Sequence, residues 1–588
     1  MPALAAPEVA KLLHEFGQRT ALRGGNPYRA RAYTRAAENL MALSEPLNDV
    51  VAQDRLKDIP GVGDAIADIV TKLHQKGGHP ALDAMRKEIP AKALEMLNIP
   101  GLRADKVLKL YKELGISSMD ELEKAAKQDR LKRVKGLGPA LQSKILQGIE
   151  IRRYGEGRHH LHRAAKLMEL AKEQLRRSKL DLQDLIPAGD FRRGCELVSN
   201  LALVAETSPL EGEPRKLASD SQLSVFITDK RRAGATLLLA TGSEKHVEEL
   251  TRLAAQRGMM LDMRGLRVGK KVVASKTEVD IYKALGLPFI EPELREGRGE
   301  IDLARRGKLP KLVNDAEIRG ILHAHTNRSD GVDTLEVMAD ATLARGFSYL
   351  GVADHSQSAH YAGGLSVKEI AQQHAEADAL NKRYGRSFRI SKGIESDILP
   401  DGSLDYSNDV LARFDFIVAS VHSRFKLAPK EQTERVIRAV ANPRTTILGH
   451  MTGRQLLRRP GYELDVEKVL VACSKYGVAV EINANPWRLD LDWRWHQRAL
   501  ELGCMMSINP DAHSTTEIDL THWGVEMARK GGVPSDRVLN CLALPQFTEY
   551  LDHRRSNRRG KAQRKLNKPP RPINPPPQPA KAALPART

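Results

Sequence analysis

The chain has 588 residues, 41% of them hydrophobic and 28% charged, which is enough for several domains with buried cores. No apolar run reaches about eighteen residues, and the N-terminus MPALAAPEVAKLLHEF lacks the plan of a secretory signal, so a membrane span and secretion are both disfavoured. The formal charge is +19, with eleven Lys and Arg and no acid after Asp552, while four dispersed cysteines exclude a disulfide scaffold or zinc ribbon and suit a reducing cytoplasm.

Residues 1–155, rich in Ala, Leu, Lys and Glu, read as short helices separated by glycine turns. From 156 to 300, helices alternate with short apolar runs such as 223–228 and 235–240, a mixed α/β pattern. Residues 301–316 are charged and weakly periodic and read as a linker. From 317 to 552, β-like runs at 349–353, 414–421, 446–448, 478–482 and 505–508 alternate with amphipathic helices. Such repetition predicts parallel strands with crossover helices, a sheet or a barrel. Residues 553–588 hold too much Pro and charge to pack and read as a disordered tail, either a solvated extension or an electrostatic arm for polyanions.

Three segments of the first domain share one plan: Ile59-Pro60-Gly61-Val62-Gly63, Ile99-Pro100-Gly101-Leu102-Arg103 and Val134-Lys135-Gly136-Leu137-Gly138. Each joins a helix end to an amphipathic helix start, as in a helix-hairpin-helix. Glycine permits the tight turn and leaves backbone N–H groups open beside a positive helix end, a sequence-independent phosphate site. Gly61, Gly63, Gly101, Gly136, Gly138 and Lys135 are the expected DNA contacts. The second copy departs from the plan at Arg103. Lys132, Arg133 and Lys144 add positive charge to the third.

In the last domain, apolar runs end repeatedly in metal-capable side chains. His323 and His325 lie two apart, on one side of an extended strand end, and Asp330 follows. Other runs end at His355, Glu395, His422, His450, Asp511 and His513. In a closed parallel barrel the C-terminal strand ends converge on one mouth. Nine such ligands there could hold three divalent ions at about three apiece. His159, His160 and His162 cluster in a charged helical stretch without that pattern and read as solvent-exposed. Arg424 and Arg454, just past His422 and His450, are candidates for holding a flanking phosphate.

Across almost all of residues 1–552 these features resemble a bacterial family X DNA polymerase carrying a C-terminal PHP (polymerase and histidinol phosphatase) domain. The marks are Asn26-Pro27-Tyr28-Arg29-Ala30-Arg31-Ala32-Tyr33, the three hairpins, Gly189-Asp190-Phe191-Arg192-Arg193-Gly194, Thr241-Gly242-Ser243, Leu287-Pro288 and Pro292-Glu293-Leu294-Arg295-Glu296. In the last domain Gly363-Gly364-Leu365-Ser366, Glu481-Ile482-Asn483-Ala484-Asn485-Pro486 and Ile508-Asn509-Pro510-Asp511-Ala512-His513 agree as well, and all nine ligand candidates fall in the PHP order. The resemblance implies a multidomain α and α/β chain: a helix-hairpin-helix domain (1–155), a polymerase X-like palm and thumb (156–300), a linker (301–316) and a distorted (β/α)7 PHP barrel (317–552). It also implies a trinuclear manganese or zinc centre on His323, His325, Asp330, His355, Glu395, His422, His450, Asp511 and His513. His323, His325, Glu395, Asp511 and His513 carry the expected catalysis.

Two family activities break down at the residues. Three carboxylates should hold two magnesium ions for nucleotidyl transfer, yet the matching positions are Asn200, Ala202 and Ser224. Asp190 also places a negative charge where a triphosphate would lie. The lyase lysine is matched by Ile69, with Lys72 nearby. The expectation is therefore a 3′-to-5′ exonuclease or phosphoesterase on gapped, nicked or 3′-ended DNA, in the cytoplasm at the nucleoid, with a degenerate polymerase region as the clamp. An active gap-filling polymerase with proofreading, an idle DNA-binding scaffold and a small-molecule phosphatase are the competing readings.

Overall fold

The computed structural model describes residues 3–554 apart from 25, 42, 44–45, 178–181, 209, 211 and 218–222. Of the expected disordered tail, residues 553 and 554 are helical instead, Arg554 being tied to Thr445 O at 2.7 Å, and the rest, from 555 on, lies outside the described residues. Among the described residues no helix is long and apolar enough to cross a membrane. The chain forms two compact units. The first runs to Leu309 and includes Thr452–Tyr462 and Pro486–Leu489, and the second comprises Pro310–Met451, Glu463–Asn485 and the residues from Asp490 on.

In the first unit, the described residues between 6 and 155 form helices joined by turns, with two buried clusters, one around Leu13, Tyr33 and Val70 and one around Met96, Leu110 and Ile145. The three hairpins are built alike. Val62 N–H donates to Ile59 O, Leu102 to Ile99 and Leu137 to Val134, at 3.0, 3.1 and 3.0 Å. Those six apolar side chains are buried, which pins the turn, while the glycines between them face outward. Gly61, Gly101 and Gly136 have φ of +84°, +81° and +88°, which only glycine adopts without cost.

A four-stranded mixed sheet follows, in the spatial order Leu182–Ala188, Leu201–Thr207, Leu223–Asp229 and Arg215–Leu217. The helices Ala233–Thr241 and Glu244–Gln256 then lead into a small antiparallel sheet of Met260–Asp262, Gly265–Val268 and Lys271–Ala274. The apolar run 235–240 is thus helical, consistent with its Ala and Leu content, Thr236 being its one β-branched side chain. The expected linker is also partly structured. Helix Glu300–Arg305 sends Ile301 and Ala304 into the core with Leu250 and Tyr282, so apolar burial holds this charged stretch to the first unit.

The histidine cluster needs a correction too. His159–His160 form a short strand, and His160 is buried, its Nε2 3.1 Å from Leu456 O and its ring 4.4 Å from Trp487. His159 and His162 are half-buried.

The second unit is a ring of seven parallel strands in sequential order: Gly320–Ala324, Tyr349–Val352, Arg389–Asp397, Phe416–Ser420, Ile447–Leu448, Ala479–Asn483 and Met506–Asn509. An isolated bridge between Ala324 and Ala512 joins first and last, with His325 N–H donating to Ala512 O at 2.8 Å. The strands are almost wholly buried, as a sheet covered on both faces requires. Crossover helices such as Val367–Tyr384, Pro429–Ala441 and Val466–Tyr476 connect them. At Gly320 an added Cβ would lie 2.1 Å from the Tyr349 ring, and this ring stacks on Phe547 at 4.6 Å.

Candidate metal centre and nucleic-acid interface

All nine ligand candidates come together at the C-terminal ends of the barrel strands. Glu395, on the long third strand, is the hub. Its Oε1 lies 3.4, 3.3 and 3.0 Å from Nε2 of His323, His422 and His450, and its Oε2 lies 2.9 Å from His355 Nδ1 and 3.8 Å from His325 Nε2. Asp511 Oδ1 sits 3.1 Å from His325 Nε2 and 3.6 Å from His323 Nε2. Asp330 reaches His355 at 3.5 Å and His513 at 3.4 Å.

Three overlapping groups emerge, each with its candidate ligand atoms within 4.8 Å of one another. They are His325, Asp330, His355 and His513; His323, His325 and Asp511; and His355, Glu395 and His422. The donor set fits divalent cations. Buried polar atoms normally find hydrogen bonds, yet His323 Nε2, His325 Nδ1, His355 Nδ1, His450 Nδ1 and both Glu395 oxygens have none. His323 and Asp511 also hold left-handed backbone, φ +57° and +54°, a cost that the surrounding fold must impose.

Electrostatics point the same way. Burial would raise the Glu395 carboxyl, but the imidazoles of His422, His323 and His355 hold it well below the usual carboxylate range. Burial opposes charge on His323, and Glu481, Glu395 and Asp511 overcome it, raising this imidazole well above its ordinary value. Burial and the neighbouring His513 and His355 push His325 down to about 3.

A supporting layer escapes the strand-end pattern. The Glu481 carboxylate meets His323 Nδ1 at 2.5 Å and accepts from His450 N–H and Asn509 Nδ2 at 2.5 and 2.9 Å. Asp397 meets His422 Nδ1 at 2.6 Å, and Asn483 donates to Asp511 at 3.1 Å. These contacts fix tautomer and ring orientation. The signal was present in sequence: an acid inside an otherwise apolar, buried strand must have a partner. Arg454, a sequence candidate for phosphate, is instead bound to the carbonyls of Arg488 and Leu489 and lies 3.7 Å from Glu196. Arg424 is exposed and makes no ion pair among the described residues.

In the four-stranded sheet, Ala202 pairs with Ser224 across adjacent strands, and Ser224 Oγ donates to Asn200 Oδ1 at 3.1 Å. The three positions matched to polymerase carboxylates therefore meet, and all are neutral. The neighbouring arginines are engaged. Arg192 grips Glu278 with bonds of 2.8 and 2.7 Å, and Arg193 binds Asp190 and Glu296 at 2.7 and 2.9 Å. Asp190 also accepts from Ser199 N–H at 2.9 Å. Ile69 is buried, and Lys72 pairs with Asp68 at 2.6 Å.

The hairpin residues Gly61, Gly63, Gly101, Gly136, Gly138 and Lys135 are all exposed. Gly63, Arg103 and Gly138 start the following helices with extended backbone and no side-chain cap, so first-turn N–H groups stay open to an anion. Arg103 is thus no conformational break. Lys106 and Lys109 bring their ammonium groups within 3.7 and 3.9 Å of the place a Cβ would take on Gly136, and Lys109 binds Lys135 O.

Residues 5–79 match a helix-hairpin-helix domain, 93–150 a SAM-like helix-hairpin-helix tandem, and 236–296 the DNA polymerase beta thumb. A DNA polymerase/3′-5′ exonuclease PolX of Bacillus subtilis is 31% identical over 569 residues, which is 92% of this chain and 99% of that protein. A probable phosphatase of Thermoanaerobacter sp. is 27% identical over 263 residues, 42% of this chain and 96% of the relative. Another probable phosphatase, from Acetivibrio thermocellus, is 26% identical over 249 residues, 41% of this chain and 97% of its own length.

Proposed function

The chain belongs to the PolX family of DNA polymerases, and from that premise we propose that its chemistry has withdrawn into the barrel: it is a metal-dependent 3′-to-5′ exonuclease on DNA, with no nucleotidyl transfer of its own. The supporting observation is a contrast within one chain. Nine ligand-type side chains converge around Glu395 and Asp511, whereas Asn200, Ala202 and Ser224 offer no carboxylate to a hard cation.

In this reading all nine residues, including His450, hold three manganese or zinc ions. Such ions supply charge neutralisation for a phosphodiester and activation of water at neutral pH. The protein's part is to fix them. Glu395 bridges the groups, Asp511 ties His323 to His325, and Glu481 and Asp397 hold His323 and His422 by their far nitrogens. Asp330 and His513, with side chains 36% and 31% exposed, form the open side by which a phosphodiester enters. The hairpins grip gapped or nicked duplex by its phosphates, without regard to sequence, and the helical, palm-like and thumb regions act as a clamp.

Labelled gapped DNA, incubated across a metal series with and without all four nucleotides, tests this. Manganese or zinc should release nucleotides from the 3′ end, chelator should stop it, and the primer should not lengthen. Primer extension that survives His323→Ala would overturn the loss of polymerase activity. The likeness to probable phosphatases favours a second reaction at the same centre, removal of a 3′-terminal phosphate. A substrate ending in that group reads it directly.

A further inference from the structure

The barrel of the second unit holds a cavity of about 400 Å³ at the N-terminal ends of its strands, the end opposite the metal centre. That volume falls within the range of small-molecule sites. Residues 411–417, leading into the fourth strand, and Pro443, Arg444 and Thr446, ahead of the fifth, form its walls with Lys392, Leu551 and Arg554. Four cations line it, Lys392, Arg413, Arg444 and Arg554, against one acid, Asp415. Lys392 is answered by Asp378 at 2.8 Å, and Asp415 accepts from Lys392 N–H at 2.9 Å. Arg413, exposed, and Arg444, half-buried, make no ion pair among the described residues. Arg554 is the anomaly. Its Nη2 donates to Thr445 O, beside Arg444, while its Nε is buried without a partner. Burial pulls this guanidinium below its ordinary range, with no carboxylate beside it to offset the cost. The positive field reaches a neighbour as well: burial and the charges of Lys392 and Arg413 hold the His374 imidazole below its usual value. Cations set among apolar walls are costly unless an anion answers them. The other walls, among them Leu411, Phe416, Ile417 and Leu551, are apolar.

We propose that this cavity is a second ligand site and takes a nucleoside monophosphate: Arg413, Arg444 and Arg554 hold the phosphate dianion, and the apolar walls take the base. Guanidinium groups suit a phosphate because their planar donors match its oxygens. Inorganic phosphate would leave the apolar part of the cavity unfilled, and a sugar phosphate would set hydroxyls against walls that offer them few partners. The site does not depend on the nuclease reading. Where that reading holds, the ligand is of the class that the other end of the barrel releases.

The test is calorimetric titration of the full-length, manganese-loaded protein with deoxyadenosine monophosphate, deoxyadenosine, deoxyribose 5-phosphate and inorganic phosphate. The monophosphate should bind more tightly than the other three. Arg413→Ala and Arg444→Ala, both at positions outside the buried core, should each weaken it by about tenfold or more, as loss of a hydrogen bond to a charged group implies, and should leave binding of deoxyadenosine unchanged. Melting curves of the two variants should match that of the parental protein, since neither arginine has an ionic partner to lose. His325→Ala, at the far end of the barrel, should retain the monophosphate site. Unchanged affinity in the Arg413→Ala/Arg444→Ala double variant, or loss of the site in His325→Ala, would overturn the proposal and put the ligand at the metal centre. Inorganic phosphate or deoxyribose 5-phosphate binding as tightly as the nucleotide would overturn the contact with the base. Failure of the parental protein to release nucleotides from any DNA would instead sink the nuclease reading, while these titrations still decide the cavity.

Discussion

At neutral pH the metal-free centre carries protons where cations would sit. Burial disfavours charge on His355, His422 and His513, but nearby carboxylates prevail. Glu395 and Asp330 raise His355 to about 10, Glu395 and Asp397 raise His422 to about 9, and Asp330 and Asp511 raise His513 to about 9. An imidazole ligates only after losing its proton. Metal affinity should therefore climb as pH rises towards about 9 to 10, with protons released on loading. Because these folded-state values lie above the unfolded one, the groups stabilise the metal-free fold below about pH 6.5. That contribution disappears as pH passes through about 9 to 10. Manganese titrations at pH 7 in two buffers of different ionisation heat should give different apparent enthalpies, and equal heats would contradict the picture. In the same titration Glu481→Gln should weaken binding by about 10- to 100-fold, because His323 loses the charge that orients it. The nine candidates were legible in sequence because strand ends of a barrel face one mouth. Glu481 and Asp397 were not picked out, since their role follows from neighbours brought in from other strands.

Among the elements, the hairpins show what a short motif does and does not encode. The first glycine of each is required by its positive φ, whereas the second position is an ordinary helix start that accepts Arg103. Pattern alone could not separate the two demands. It also missed Gly148, inside the helix Pro139–Gly155, where an added Cβ would fall 2.5 Å from Ile99 Cγ2 and 2.9 Å from Pro100 O. Periodicity treats that glycine as a weak helix former, but the fold uses it to seat the helix flush on the second hairpin. Gly148→Ala should thus destabilise the helical domain by about 1–3 kcal/mol through overpacking, despite alanine's better helix propensity. Calorimetry of the full chain would show the first transition at lower temperature. A transition moved upward would mean that helix and hairpin separate easily. The same limit explains the stretch 235–240 and the segment 300–305: apolar content was visible in both, but the partners that fix their form were not.

For the molecule as a whole, the proposal divides labour: phosphate grip in the first unit, hydrolysis in the second. The two functions then respond to different changes. His325→Ala removes a group shared by two candidate ligand sets and Asp511→Ala the carboxylate between His323 and His325, and nuclease rate should fall on the order of a hundredfold or more, beyond the ~10–100-fold typical of changes one layer out. Affinity for gapped duplex should barely move, because the hairpin N–H groups and the lysines around Gly136 are untouched. Conversely, replacing Gly61 and Gly63 by Val should weaken duplex binding. The first change strains a left-handed residue, and both crowd open backbone donors, whereas hydrolysis of a trinucleotide should persist. Binding of the parental protein should fall steeply with salt, as counterion release at several phosphates requires. Removing residues 553–588, with their eleven basic side chains, should lower both affinity and salt slope without altering the cleavage products. Filter binding and single-turnover cleavage, measured on the same preparations, separate the outcomes. If the ligand variants lost duplex binding in step with activity, or cleaved at the parental rate in metal-purified form, the division of labour would be refuted.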